Sequence, residues 1–173
     1  RYHMIYKVIK KQNNSSMCFV CGMDNEASLR TKYYELEHDL ILGLFQGNLL
    51  HQSYPKRMHG GIITALLDET IGRAIQIQEP ETFGVTVELT MKYLKPVPLD
   101  ETLYCVGQII EKKRVLFYGQ GYITTPQGEI LATCQAKYMK KDVTQIVADQ
   151  PFIEEQWIYV ADDVSPEFFE LPQ

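Results

Sequence analysis

The sequence predicts an α+β fold: an antiparallel curved sheet of about five to six strands wrapped around one long central helix. Three observations predict it. One long segment, 61–76, carries apolar residues around nearly its whole circumference, and a helix apolar on every side is a buried one. Four later segments alternate apolar and polar residues with period two and are joined by short polar turns, which makes an antiparallel meander. One small sheet buries such a helix only by curling around it, so both belong to one layered domain.

The elements follow in order. Residues 1–28 are polar and turn-rich around Asn13-Asn14-Ser15-Ser16 and Gly22-Met23-Asp24-Asn25. Two strands are expected at 29–36 and 39–45; Leu40, Leu42 and Leu44 alternate with Ile41, Gly43 and Phe45, so the second is apolar on both faces and buried. Residues 47–58 read as a loop holding Pro55 and the basic pair Lys56-Arg57. After the helix, Pro80 and Gly84 punctuate the chain. Strands at 85–93, 102–111, 115–124 and 129–139 are separated by Pro96-Val97-Pro98, Lys112-Lys113-Arg114 and Thr125-Pro126-Gln127-Gly128. The tail 142–173 is acidic and carries Trp157, Tyr159, Phe168 and Phe169; its pattern places no element. The domain organisation expected is a turn-rich segment 1–28, the main domain 29–141 and an acidic extension 142–173.

Composition narrows the function. The 173 residues hold 45% apolar and 23% charged side chains, ordinary for a globular chain, and the net charge of −5 disfavours nucleic acid as main partner. No apolar run reaches the ~18 residues of a membrane span, and no basic segment followed by an apolar one marks a secretory leader. With only four cysteines, the expectation is a reducing cytoplasm and no membrane. Cys105 and Cys134 lie in alternating segments and read as buried core residues. Cys18-Phe-Val-Cys21 lacks the second ligand pair of a structural zinc site and the βαβ context of a thioredoxin motif. It reads as a structural turn, with zinc or redox chemistry as the alternatives, and no metal is expected.

The chemistry concentrates in His59-Gly60-Gly61 and in Asp68-Glu69 two turns further on. A glycine pair at a helix start leaves backbone N–H groups unpaired where the helix dipole is positive. That suits an anion, or the oxygen that becomes negative when a carbonyl is attacked. A carboxylate inside an apolar helix is costly without a partner or a task. Asp68 and Glu69 point about 100° apart, so only one faces a given site. Glu69 is four residues from Arg73, which fits an ion pair, leaving Asp68 for catalysis. Bland readings stand beside these: His59 as a helix-entry cap, Gly60 for close packing, Thr86 as an ordinary strand residue, and Arg114 and Lys56-Arg57 as solvated turn cations.

Cys18-x-x-Cys21-Gly22-x-x-Asn25, His59-Gly60-Gly61 with Asp68 nine positions after the His, and the strand from Thr86 to Lys95-Pro96 occur in an order that resembles a hotdog-fold thioesterase of the phenylacetate-pathway (PaaI-like) type. The resemblance covers about 120 residues, 18–140. The family's Asn-Pro-x-Gly-Leu is here Asn25-Glu26-Ala27-Ser28-Leu29. The resemblance implies hydrolysis of an acyl-CoA, with coenzyme A only as part of the substrate and no other cofactor. It implies that the Gly61 N–H polarises the thioester carbonyl, that His59 fixes the turn and hydrogen-bonds the same oxygen, and that Asp68 is general base or nucleophile. Thr86 falls on the Ser/Thr position that places the water. The family's Asn six residues before the His falls on Ser53, with Gln52 beside it, and either assists the carbonyl. Gly60, Ser53 and Glu69 would line the substrate site, and Lys92, Lys95 and Arg114 would hold coenzyme A phosphates. The site would span a homodimer interface, with Gly61 and Asp68 from different subunits, and two dimers can pair into a tetramer. Two other readings remain: a non-catalytic acyl-CoA binder or regulator, and a hydratase or dehydratase, whose His before Phe-Pro-Gly is missing.

Overall fold

Alternation becomes strand and all-round apolarity becomes buried helix in the computed structural model, which describes residues 3–147 and 151–173. In chain order the elements are β1 (His3–Lys11), β2 (Asn14–Ser15), β3 (Lys32–Leu36), β4 (Leu40–Phe45), α1 (Gly60–Arg73), α2 (Ile75–Gln78), β5 (Thr82–Tyr93), β6 (Leu103–Lys112), β7 (Leu116–Thr124), β8 (Ile130–Asp142), α3 (Val143–Ile146), α4 (Phe152–Glu155), β9 (Trp157–Ile158) and β10 (Phe168–Pro172). Together α1 and α2 cover the predicted helix, with a single-residue break at Ala74.

Six strands in the order β3-β4-β6-β7-β8-β5, all antiparallel, wrap the helix as expected. Two more strands come from the terminal segments. β1 pairs with β3, β10 pairs with β1, and the sheet reaches eight strands. The sequence hides β1 because lysines stand at three of its nine positions, yet Tyr6 and Val8 pack inward. The β1–β10 ribbon bends back across the outer face of the sheet: Phe169 stacks edge-on against Tyr104 of β6 at 5.4 Å and tilts against Tyr34 at 5.6 Å.

The main core lies between α1 and the inner face. Leu66, Leu67, Ile71 and Ile75 are fully buried against Ile41, Cys105, Phe117, Ile123 and Ala132. Close approach is made possible by Gly107 of β6 and its cross-strand partner Gly121 of β7. A Cβ on Gly107 would meet the Ile71 backbone at 3.1 Å, and one on Gly121 would meet its side chain at 2.9 Å. The helix therefore seats Ile71 directly on bare backbone.

Helix and edge strand run past each other in a way that fixes the site. The Tyr93 hydroxyl, at the end of β5, donates to the Gly60 carbonyl at 3.1 Å. Thr86, seven residues earlier, reaches Asp68, two turns into α1. The β5–β8 register slips between Thr86 and Glu88, a bulge at Val87 of the kind that re-aims side chains beside functional sites.

Candidate active site

His59 caps α1. Its backbone is extended (φ −62°, ψ 136°), and its Nδ1 accepts from the Gly61 N–H at 2.9 Å. The donor foreseen for a carbonyl oxygen is thus occupied by its own neighbour's ring. His59 and Gly61 are both exposed, so this bond sits in solvent. The Tyr93 ring lies 3.5 Å from where a Cβ on Gly60 would stand, so Gly60 also serves close packing.

Asp68 is half-buried and accepts from the Thr86 hydroxyl at 2.7 Å through Oδ1. The Tyr138 hydroxyl donates to the Asp68 backbone carbonyl at 2.6 Å and pins that turn of helix. Burial pushes the Asp68 carboxyl above the ordinary aspartate range, and hydrogen bonds from Thr86 and Tyr138 only partly offset it. A carboxylate tuned in this direction is a better base near neutral pH.

Asp68 and Thr86 open onto a cavity of about 310 Å³. Its aromatic wall is Phe83, Phe152 and Trp157, in mutual edge-on or tilted contact at 5.7 to 6.4 Å. Phe152 and Trp157 belong to the acidic tail, which the sequence could not place. Glu69 reaches the same cavity from the neighbouring helix position, and its Oε2 accepts from Arg73 Nε at 3.0 Å, the ion pair expected from their spacing. Its Oε1 accepts from the Cys18 thiol at 2.9 Å. Arg73 is sandwiched, 4.2 Å from the Tyr33 ring centre and 4.9 Å from that of Trp157.

A second cavity, about 320 Å³, lies at the N-terminal end of α1 and is lined by Ser53, Arg57, Gly60, Tyr93 and Lys95 among others. Among the described residues, none lines both cavities. Gly61 and Asp68 are seven residues apart, about 10 Å along the helix axis at ~1.5 Å per residue. The two ends of α1 therefore open onto separate cavities of one chain.

The cations distribute unevenly. Lys95 edges the second cavity, where it pairs with Glu129 at 2.9 Å. Lys92 lies on the outer face of the sheet beside Thr90, Gln108 and Gln120, away from both of those cavities. The strand's period of two puts it on the face opposite the helix. Arg114 is exposed in the β6–β7 turn, at the Thr86 end of the sheet. Gln52 faces its own loop and accepts from the Lys56 N–H at 3.2 Å.

Sequence reasoning missed Tyr138, Tyr93, Phe83 and Trp157. Tyr138 and Tyr93 look like ordinary alternating strand residues, and only the helix-to-sheet register gives their hydroxyls partners. Trp157, the chain's single tryptophan, stands out in the tail, but no local pattern ties it to Arg73 or the cavity.

Residues 56–132, which hold His59, Gly61, Asp68 and Thr86, match the family model of the thioesterase superfamily. The chain has the hotdog fold, and this stretch of it is similar to the thioesterase superfamily. Over 144 residues it is 27% identical to the rat acyl-coenzyme A thioesterase THEM4, covering 81% of this chain and 61% of the rat protein. The chain thus spans about three fifths of that relative's length. The hotdog domain also superposes on a Bacillus halodurans protein solved with CoA (27% identity, TM-score 0.53, 57% of this chain and 70% of that one). It shares its fold with the Escherichia coli PaaI protein of the phenylacetic acid degradation operon (17% identity, TM-score 0.59, 65% of this chain and 80% of that one). No helix among the described residues is long and apolar enough to cross a membrane.

Proposed function

We propose that this chain hydrolyses acyl-CoA thioesters at a site completed by a second copy of itself. The observation that carries the reading is the split between the two half-sites: a tuned carboxylate with its hydroxyl partner at one end of α1, and backbone N–H groups at the other. They converge only if two chains pair so that the N-terminus of one α1 faces Asp68 of the other. The surface for this is β5, the last strand of the sheet, whose unpaired edge region exposes Val85, Val87, Tyr93 and Leu94 at 41 to 55%. A bare apolar edge of this length invites pairing with another strand. The rat relative's name supplies the substrate class, and the Bacillus structure with CoA supports it.

In this reading the thioester carbonyl oxygen takes the place of His59 Nδ1 on the Gly61 N–H, the exposed imidazole turning aside. Asp68 removes a proton from water as it attacks the carbonyl carbon. Thr86, whose hydroxyl donates to Asp68, keeps lone pairs with which to accept from that water, which favours the base over the nucleophile role. The tetrahedral anion collapses, the C–S bond breaks, and CoA leaves as its thiolate to be protonated. Lys95 and Arg57, on the rim beside Gly60, are the cations placed to meet phosphates, while Ser53 and Glu69 border the two half-sites. Free cysteines throughout suit a cytoplasmic protein.

Thiol release from a panel of acyl-CoAs tests this. Wild type is expected to turn over at least one, and Asp68→Asn to lose ~10²-fold or more. Binding of acyl-CoA without thiol release would make the chain a carrier instead.

Titration adds a second expectation. An essential Asp68 base gives a rate that falls with acid, and the midpoint is expected above that of an exposed aspartate because burial raises its pKa. The same shift has a stability sign. A carboxyl whose folded pKa is raised costs stability at pH values above that pKa, and the cost vanishes below the unfolded value. Asp68→Asn is therefore expected to match or exceed wild type in Tm at neutral pH; a clear loss in Tm would contradict it.

A further inference from the structure

Beside Asp68, and unused by the hydrolysis above, lies the Cys-x-x-Cys turn. We propose that Cys18 and Cys21 are a redox-active dithiol, with Cys18 the attacking thiol, Cys21 the resolving thiol and Glu69 the base that serves both.

The geometry is asymmetric in the way such a pair needs. Both cysteines border the 310 Å³ cavity, but Cys18 is half-buried and within reach of a small molecule, whereas Cys21 is 1% exposed. A tight turn carries both sulfurs to one side. The Gly22 N–H bonds the Cys18 carbonyl at 2.7 Å, and a side chain at Gly22 would collide with the Cys18 backbone. The Asn14 side chain holds the Cys21 carbonyl at 2.8 Å, which fixes the other end. Both Sγ atoms and a carboxylate oxygen of Glu69 lie within 4.8 Å of one another, the three forming a single cluster. Arg73 holds the second Glu69 oxygen and keeps the carboxylate aimed at the thiols. The neighbouring Cys21 thiol holds the Cys18 thiol below its usual range against burial and the Glu69 charge, while the same contact, burial and that charge push Cys21 up. Low-pKa attacker and protected resolver is the division of labour of exchange-active pairs.

The reaction balances with a small-molecule disulfide as oxidant. Cys18 Sγ attacks one sulfur of R–S–S–R, forming a Cys18–S–S–R bond and releasing RS⁻, while the Cys18 proton passes to Glu69 and on to RS⁻. Cys21 then attacks Cys18 Sγ, the mixed disulfide breaks, and the second RS⁻ leaves with the proton Glu69 takes from Cys21. The protein loses two electrons and two protons, and R–S–S–R becomes two R–SH.

The same cluster could suit a soft cation, but the guanidinium of Arg73 beside the only carboxylate opposes a divalent ion. Cys105 and Cys134 are internal controls, since burial pushes both thiols up, Cys134 to about 11.

The test is independent of any hydrolase activity. Folded protein is incubated with glutathione disulfide, quenched with acid, alkylated and mapped by mass spectrometry. The expected product is an intramolecular Cys18–Cys21 disulfide, with Cys105 and Cys134 alkylated only after unfolding. Cys21→Ser is expected to accumulate glutathione on Cys18, and Cys18→Ser, whose hydroxyl can still donate to Glu69, to leave Cys21 unmodified. Glu69→Gln is expected to slow disulfide formation about tenfold or more, as for loss of a general base. Thiols that stay fully alkylatable in wild type, modification of Cys21 without Cys18, or zinc co-purifying at one ion per chain and protecting both thiols would each overturn the proposal.

Discussion

Two inactive variants, Asp68→Asn and Gly61→Pro, are expected to restore hydrolysis when unfolded together and refolded as a mixture. Gly61→Pro removes the N–H proposed to hold the carbonyl oxygen, and proline is tolerated in the first turn of a helix. Each homodimer then lacks one half of every site. If Gly61 and Asp68 of a site come from different chains, as proposed, a mixed dimer holds one site with both defects and one with neither. Random pairing makes half the dimers mixed, so about a quarter of wild-type activity returns. A rate that stays at the level of the separate variants would mean that each site is built within one chain. Dimer formation can be checked in the same samples by sedimentation, which separates failed pairing from failed complementation.

Arg73→Met is expected to cause the largest loss of stability of any single change at the site. Arg73 is 5% exposed, pairs with Glu69 at 3.0 Å, and donates to the Gln12 side chain at 3.2 Å and the Asn13 carbonyl at 2.9 Å. Methionine fills similar volume between Tyr33 and Trp157 but strands the Glu69 carboxylate. Breaking a buried pair by removing one partner costs about 3–5 kcal/mol. For a chain of this length that lowers Tm by roughly 6–20 °C. Adding Glu69→Gln is expected to return part of the loss, because the cost comes from an unpaired charge and not from missing volume. If the double variant melts below the single one, packing of the guanidinium between the rings is the larger effect. Calorimetry of the three proteins at one pH decides.

The fold was readable where the chain obeys one period at a time. The all-round apolar helix, the meander from 85 to 139 and the doubly apolar β4 needed only spacing, and their observed bounds differ by a few residues. β1 was not readable, since its three lysines, Lys11 buried among them, dilute the alternation and its pairing with β10 spans nearly the whole chain. For the site, Asp68, Glu69 and Arg73 were readable because helical spacing alone sets which side chains meet. Lys92 was misplaced for the opposite reason: its charge suggested a phosphate, but strand parity turns it to the outer face. Trp157 over Arg73, Tyr138 on the Asp68 carbonyl and Cys18 on Glu69 all depend on contacts between distant segments. No local pattern carries that information.

The seat of Ile71 on Gly107 and Gly121 reaches beyond packing. Asp68 lies one turn before Ile71, so the gap across which it reaches Thr86 is set by how near the helix can come to the sheet. That nearness is created by side chains the chain does not have. The working distance of the carboxylate is thus encoded on strands β6 and β7, outside the cavity. A methyl group there would act as a spacer, lifting the carboxylate off its hydroxyl while every residue lining the site stayed the same.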